Sequence, residues 1–485
     1  MTQIAAEEVL PSFDARGWMQ WPANEDYSLQ FLRLLGAAQD GGSTVSECLL
    51  AARSIDPACE ESWYTQWKKA ADLNKSRGDI ASARGHIPTA LSNWLRAANY
   101  YRTAQTFMAV DDSRQAAAIA QMMACSRLYL TNANPAGEIV ALPWGERNPL
   151  QGYFLPPAGR AGRKVPVVVC VGGPEQHKDE YLCRMPRYAH ERGLALLLID
   201  LPGHGHRRGL DEGFGRYDIE TAISGWIDVL QARRDVNARK IVILGDGLGA
   251  AIATRGASFD PRFAAAVCDA GIWDLHERAF LASRMYGAEP IPNELGDDVV
   301  RLCRSSSATQ VKCPMLVALG ERDWLDAGHV ARCCKALAAS GRDVELKVFS
   351  AAETAAAHAQ RDNPTIANEF IFDWISALLS KSDSTKSLSE SRRDPSLAIF
   401  LLALSDSDIS TTRASWRDGT RRTKPFFSSI LDWVVTKDGS TCSMAETSLT
   451  GTPLPPSRSL TAIRIIHCGP LMPNSLAQKC RISSR

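Results

Sequence analysis

The chain has 485 residues, 45% of them apolar and 22% charged, which are the proportions of an ordinary water-soluble protein of two or three domains. A net charge of +1 excludes the basic footprint of a nucleic-acid binder or of a protein held on an anionic membrane. The thirteen cysteines are scattered, with no Cys-x-x-Cys pair and no Cys/His group at metal-ligand spacing, and no apolar run is long enough to span a bilayer. The start, Met1-Thr-Gln-Ile-Ala-Ala-Glu-Glu, carries no export signal, so a reduced, cytoplasmic protein is expected.

Residues 1–130 read as helical. The clearest stretch runs from Ile87 to Met108, with Leu91, Trp94, Leu95, Ala98 and Tyr101 near the helical period and Pro88 in the first turn. Residues 131–380 have a different texture. Two strands expected to pair antiparallel, around Glu138–Leu142 and Leu150–Leu155, precede short β-branched runs alternating with helices. Those runs are Val165–Val171, Leu194–Ile199, Lys240–Leu244, Ala264–Cys268, Met315–Leu319 and Val344–Phe349, with a closing helix at Thr365–Leu379. Near-continuous apolar strands separated by helices call for a mostly parallel sheet covered on both faces, a doubly wound α/β fold. Cys170 and Cys268 lie within such strands as small core residues. From 381 to 485 serine makes up roughly a fifth of the residues and no apolar period survives. That stretch reads as a low-order tail, disordered or a non-native extension.

Chemistry concentrates in turns after the strands. Lys240-Ile-Val-Ile-Leu-Gly-Asp-Gly-Leu-Gly-Ala-Ala is a strand, a glycine-rich turn and a helix start. Glycines at 245, 247 and 249 match the Gly-x-nucleophile-x-Gly elbow in one frame only, with Gly247 at the apex. A dinucleotide fingerprint needs Gly-x-Gly-x-x-Gly, so that reading is disfavoured. Gly172 and Gly173 end an earlier strand and, with the Leu248 amide, offer backbone N–H groups to a developing alkoxide. Leu198-Ile-Asp-Leu-Pro-Gly-His-Gly supplies a tight turn whose His204 and His206 are read as structural. In the order nucleophile, acid, histidine, Met315-Leu-Val-Ala-Leu-Gly-Glu-Arg-Asp offers Asp323 as the acid, with Asp326 second, and His358 follows the last strand.

At these residues the sequence resembles the α/β-hydrolases, in particular the 2,6-dihydroxypseudooxynicotine hydrolase type and the related fungal hydrolases that shorten polyketide pigment precursors. The likeness spans most of residues 80–380 and rests on Arg96-Ala-Ala-Asn-Tyr-Tyr-Arg, Gly172-Gly173, the elbow, Gly320-Glu-Arg-Asp and His358-Ala-Gln-Arg-Asp-Asn-Pro. It implies an all-helical N-terminal cap over the active site, a homodimer, a small-molecule substrate, no metal or organic cofactor, and hydrolysis of a carbon–carbon bond beside a ketone. It departs from the pattern where the family serine falls on Gly247 and where the cysteine often following the histidine is Ala359. Glu277 is the nearest counterpart to an additional catalytic acid. Arg96, Tyr100 and Tyr101 are candidates for lining the pocket, although aromatic residues at this spacing are also ordinary helix core. Three functions remain open: a hydrolase in which the His358–Asp323 dyad activates water, a lyase, isomerase or cyclase using the same dyad as base, and a protein without catalysis.

Overall fold

A computed structural model describes residues 20–21, 24–109, 112–145, 147–159, 162–173, 176–202, 204, 219–271, 305–323, 325 and 327–391, together with two short strands, Trp433–Val435 and Cys442–Met444. His206, Glu277 and Asp326 lie outside the described residues.

Among the described residues, five helices come first: α1 (Glu25–Ala37), α2 (Val45–Ala52), α3 (Glu60–Ala83), α4 (Ile87–Gln105) and α5 (Ser113–Asn132). Their starts are set by side chains that accept otherwise orphaned amides. Asn24 accepts from Tyr27 N, Thr44 from Glu47 N and Asp112 from Arg114 N. Pro88 stands at the start of α4, where its missing N–H costs nothing. Trp21, Tyr27, Trp63, Trp67 and Tyr100 fill the core of this layer. Helix α4 is buried nearly all round, from Ala90 to Ala104, because it is packed between α3 and α5 and also meets the short 3-10 turn Lys178–Cys183.

The sheet has eight strands in the order β1-β2-β4-β3-β5-β6-β7-β8. β1 (Glu138–Trp144) and β2 (Arg147–Leu155) pair antiparallel, and β2 runs antiparallel to β4 (Ala195–Ile199). The remaining strands pair in parallel: β3 (Val165–Val171), β5 (Val236–Asp246), β6 (Ala265–Asp269), β7 (Met315–Gly320) and β8 (Val344–Phe349). Alternate side chains of β3 explain why the run is apolar throughout. Val167, Val169 and Val171 pack with α7 (Ile219–Gln231) and α8 (Gly249–Phe259), while Val168 and Cys170 face the opposite core with α10 (Pro364–Ser391). A short helix, α6 (Pro186–Glu191), joins that second core, and α9 (Ala327–Ala339) joins the first.

Two boundaries differ from the sequence expectation. The chain divides into the units Met1–Leu388 and Ser389–Arg485, with no division near residue 130. The reason is packing: Ala37, Leu95 and Leu130 of the helical layer belong to the same apolar cluster as strands β3 and β4. Helix α10 also continues to Ser391, past the expected end at Leu379, since each added turn extends an existing hydrogen-bonded ladder without needing an apolar face. In the second unit, Trp433–Val435 (β9) pairs antiparallel with Cys442–Met444 (β10). The rest of the expected low-order tail lies outside the described residues.

Candidate active site

The turn between β5 and α8 is built by close contact. A Cβ on Gly245 would come within 2.0 Å of the Gly249 carbonyl oxygen, and one on Gly249 within 2.3 Å of the Val171 oxygen, so strand and helix approach only because both positions are bare. Gly247, at the apex, has φ +59°, the left-handed region that other residues enter at a cost. Its amide donates to the Asp269 carbonyl at 3.0 Å, which pins the apex to the end of β6. Among the described residues, a Cβ there would meet His358 Nε2, at 3.8 Å. The apex therefore faces the histidine.

Asp323 and His358 come together. His358 Nδ1 and Asp323 Oδ1 are 2.8 Å apart, with side-chain exposures of 5% and 0%. The carboxylate is also fixed by backbone: Oδ1 accepts from Leu325 N at 3.1 Å and Oδ2 from Ala359 N at 3.3 Å. Held this way, the carboxylate orients the ring and leaves Nε2 directed at the apex. Ala359 and Gln360 both take left-handed φ values, +50° and +47°, so the loop behind the histidine stores strain of about 1–3 kcal/mol per residue. Asp362 offsets this by accepting from Ala356 N and Ala357 N, both at 3.0 Å.

The oxyanion candidates are arranged differently from expectation. Leu248 stands at the N-cap of α8, where the Ala250 and Ala251 amides donate to the Gly247 and Leu248 carbonyls at 3.0 and 3.2 Å. The Gly173 N–H donates to Gln176 Oε1 at 2.5 Å, and Gln176 Nε2 donates to Asp246 Oδ2 at 3.1 Å. Asp246, beside the apex, is 1% exposed and is paired with Arg184 at 2.7 Å. Burial alone would raise Asp246, but the Arg184 guanidinium outweighs it and holds the carboxyl below its ordinary range. Asp269 lies directly across the strand pair from Asp246. Burial first, then the Asp246 charge, pushes Asp269 well above the carboxylate range.

The helical-layer candidates take a structural place. Tyr100 donates to Glu47 at 2.9 Å, Tyr101 to Asp72 at 2.6 Å and Arg96 to Asn74 at 2.9 Å. All three are spent inside the layer, and the expectation that they line the pocket is corrected. The face of α4 that meets the Lys178–Cys183 turn carries Asn99 and Arg102 from the same signature. Asn99 lines a small cleft with Arg33, Glu180, Arg184 and Arg361. Sequence reasoning missed this cleft. One signal was available: Asp246, a charge ending a buried strand, requires a buried partner.

His177, Asp179 and Asp200 are close enough to hold a cation. The Lys178 ammonium already fills that role, 2.7 Å from Asp200 and 3.6 Å from Asp179. His204 is buried beside this group, and burial holds its imidazole down at about 4, consistent with the structural part expected of it.

The mostly parallel sheet and its covering helices have solved counterparts. The fold is that of the α/β-hydrolases. Residues 59–277 match the family model for FrsA-like esterases, and residues 210–375 match that of the dienelactone hydrolase family. The chain is 29% identical over 281 residues to the alpha/beta hydrolase ucsC of an Acremonium species, covering 53% of this chain and 56% of that protein. It is 29% identical over 264 residues to the 20-hydroxy-prefusarin hydrolase FUS2 of Gibberella moniliformis, covering 53% and 62%. The match thus takes in little more than half the length of these α/β-hydrolase relatives. The solved structure of 2,6-dihydroxy-pseudo-oxynicotine hydrolase superposes with a TM-score of 0.60 at 22% identity, covering 72% of this chain and 96% of that one. Among the described residues, no helix of the chain is long and apolar enough to cross a membrane.

Proposed function

We propose that the chain is a hydrolase that cleaves a carbon–carbon bond beside a ketone in a β-dicarbonyl small molecule, aromatic or polyketide-like, with His358 activating water directly. The observation that carries this reading is the approach of His358 Nε2 to the Gly247 apex, 3.8 Å from where a Cβ would stand: a nucleophilic side chain would project there, and glycine supplies none. His358 Nε2 takes a proton from that water as its oxygen attacks the ketone carbon. The carbonyl oxygen becomes an alkoxide facing the Leu248 amide and, once the substrate oxygen displaces the Gln176 carboxamide, the Gly173 amide. Collapse breaks the bond to the central carbon. The leaving carbanion is stabilised by its second carbonyl and takes the proton from His358, giving a carboxylic acid and a ketone. Asp323 holds the ring and balances the imidazolium that forms between the two transfers.

The test pairs two substitutions, read by product formation from a phenyl β-diketone. His358→Ala should lower kcat by about 10²–10⁴-fold, the usual share of a positioned base. Gly247→Ser should leave turnover intact or slow it, because the hydroxymethyl group displaces the water. If Gly247→Ser instead raises turnover from nothing, the chain is a disabled serine hydrolase and the water mechanism fails.

A further inference from the structure

The cleft beside the dyad has guanidinium groups whose bonding is unfinished. Arg33, from α1, and Arg184, after the Lys178–Cys183 turn, both line it, with side-chain exposures of 12% and 11%. Each spends a single nitrogen on a carboxylate: Arg33 Nη2 on Glu180 and Arg184 Nη1 on Asp246. Among the described residues, the Nε and second Nη of each donate to nothing. Behind them lies Arg102, 4% exposed, whose Nε, Nη1 and Nη2 meet only the neutral oxygens of Asn99, Gln30 and Thr103, at 3.2, 3.0 and 2.8 Å. Three guanidinium groups are therefore answered by two carboxylates, in a space largely shielded from water. Burial, and after it the charge of Arg33, pulls Arg102 down to about 10, with Glu180 opposing the shift.

We infer that this cleft binds a carboxylate on the substrate, seated on the free edges of Arg33 and Arg184 with Arg102 supplying the unmatched charge behind them. A buried cation without a counter-charge is costly, and the forked N–H edges of guanidinium are shaped for a carboxylate's two oxygens. The place suits a substrate handle. Arg184 holds Asp246, the residue before the apex, and the cleft wall includes Arg361, three residues after His358. Surface arginines paired for solubility would not explain it, because these side chains are nearly dry.

The inference rests on the site being a small-molecule α/β-hydrolase site, and the experiment separates the two claims. The full chain is titrated calorimetrically with a phenyl β-diketone bearing a terminal carboxylate and with its methyl ester, while product is followed in the same samples. The expected result is a Kd for the carboxylate at least tenfold below that of the ester, with added salt weakening only the carboxylate. Arg33→Gln should shrink the ratio; the ligand comparison on the unmodified chain stands even if that variant folds poorly. Equal affinities, tighter ester binding or binding of neither compound overturns the inference. Selective carboxylate binding without cleavage overturns the hydrolase reading and leaves the inference standing. Cleavage of acid and ester with equal KM does the reverse.

Discussion

The helical layer and the cleft beside the dyad both bury many polar groups, and they treat them in opposite ways. Within the layer most charged groups meet a matching tip: Tyr100 with Glu47, Tyr101 with Asp72, Trp94 with Asp79 and Arg96 with Asn74, while the tips left without a partner there, Tyr27 Oη, Trp67 Nε1, Asn93 Oδ1 and Ser126 Oγ, are uncharged. In the cleft the pairing is incomplete. Arg102 meets neutral oxygens only, Asp269 is pushed well above the carboxylate range, and the Gly173 amide donates to a side chain, Gln176. Satisfied networks specify a packing, whereas unfinished ones mark where a ligand completes the bonding.

The contrast can be broken most forcefully at Arg184. Arg184→Met should strand Asp246 as a buried unpaired charge and cost about 3–5 kcal/mol. Arg184→Met combined with Asp246→Asn should recover a large part of that loss, read by denaturant unfolding. A double variant as unstable as the single one would mean that Arg184 acts through packing.

The effect of acid is next in size. His204 titrates at about 4 in the folded chain against its ordinary 6.5, because burial disfavours the imidazolium. Above pH 6.5 the ring is neutral in both states and folding is unaffected. As pH falls from 6.5 to about 4 the unfolded chain takes up the proton first, and stability drops by about 3 kcal/mol. His204→Gln should remove that part of the slope in unfolding curves taken across this range; an unchanged slope would place the titrating group elsewhere.

The smallest changes belong to the satisfied layer. Tyr101→Phe should cost about 1 kcal/mol and leave KM and kcat alone, since the lost hydrogen bond serves α3 and α4 rather than the site. A shift in KM would return Tyr101 to the pocket.

What the sequence made legible follows the same line. Local patterns mark the strands, because a doubly covered sheet demands apolar residues on both faces, and they mark the glycine turn, because strand and helix touch there. Asp323 and His358 could be found from their order after successive strands, and the structure joins them at 2.8 Å. Arg33–Glu180 and Arg184–Asp246 were hidden, since each pair joins distant segments with no spacing to betray it. Tyr100 and Tyr101 misled for a related reason. Helical period shows that α4 has buried faces but not which of them meets the Lys178–Cys183 turn and the cleft beside it, where Asn99 lies.

The central claim is that water reaches the substrate without a covalent enzyme intermediate. It is tested most directly by the intact mass of the protein, acid-quenched during turnover of a phenyl β-diketone while product is accumulating. The account predicts an unchanged mass throughout; an adduct of the acyl fragment would contradict it.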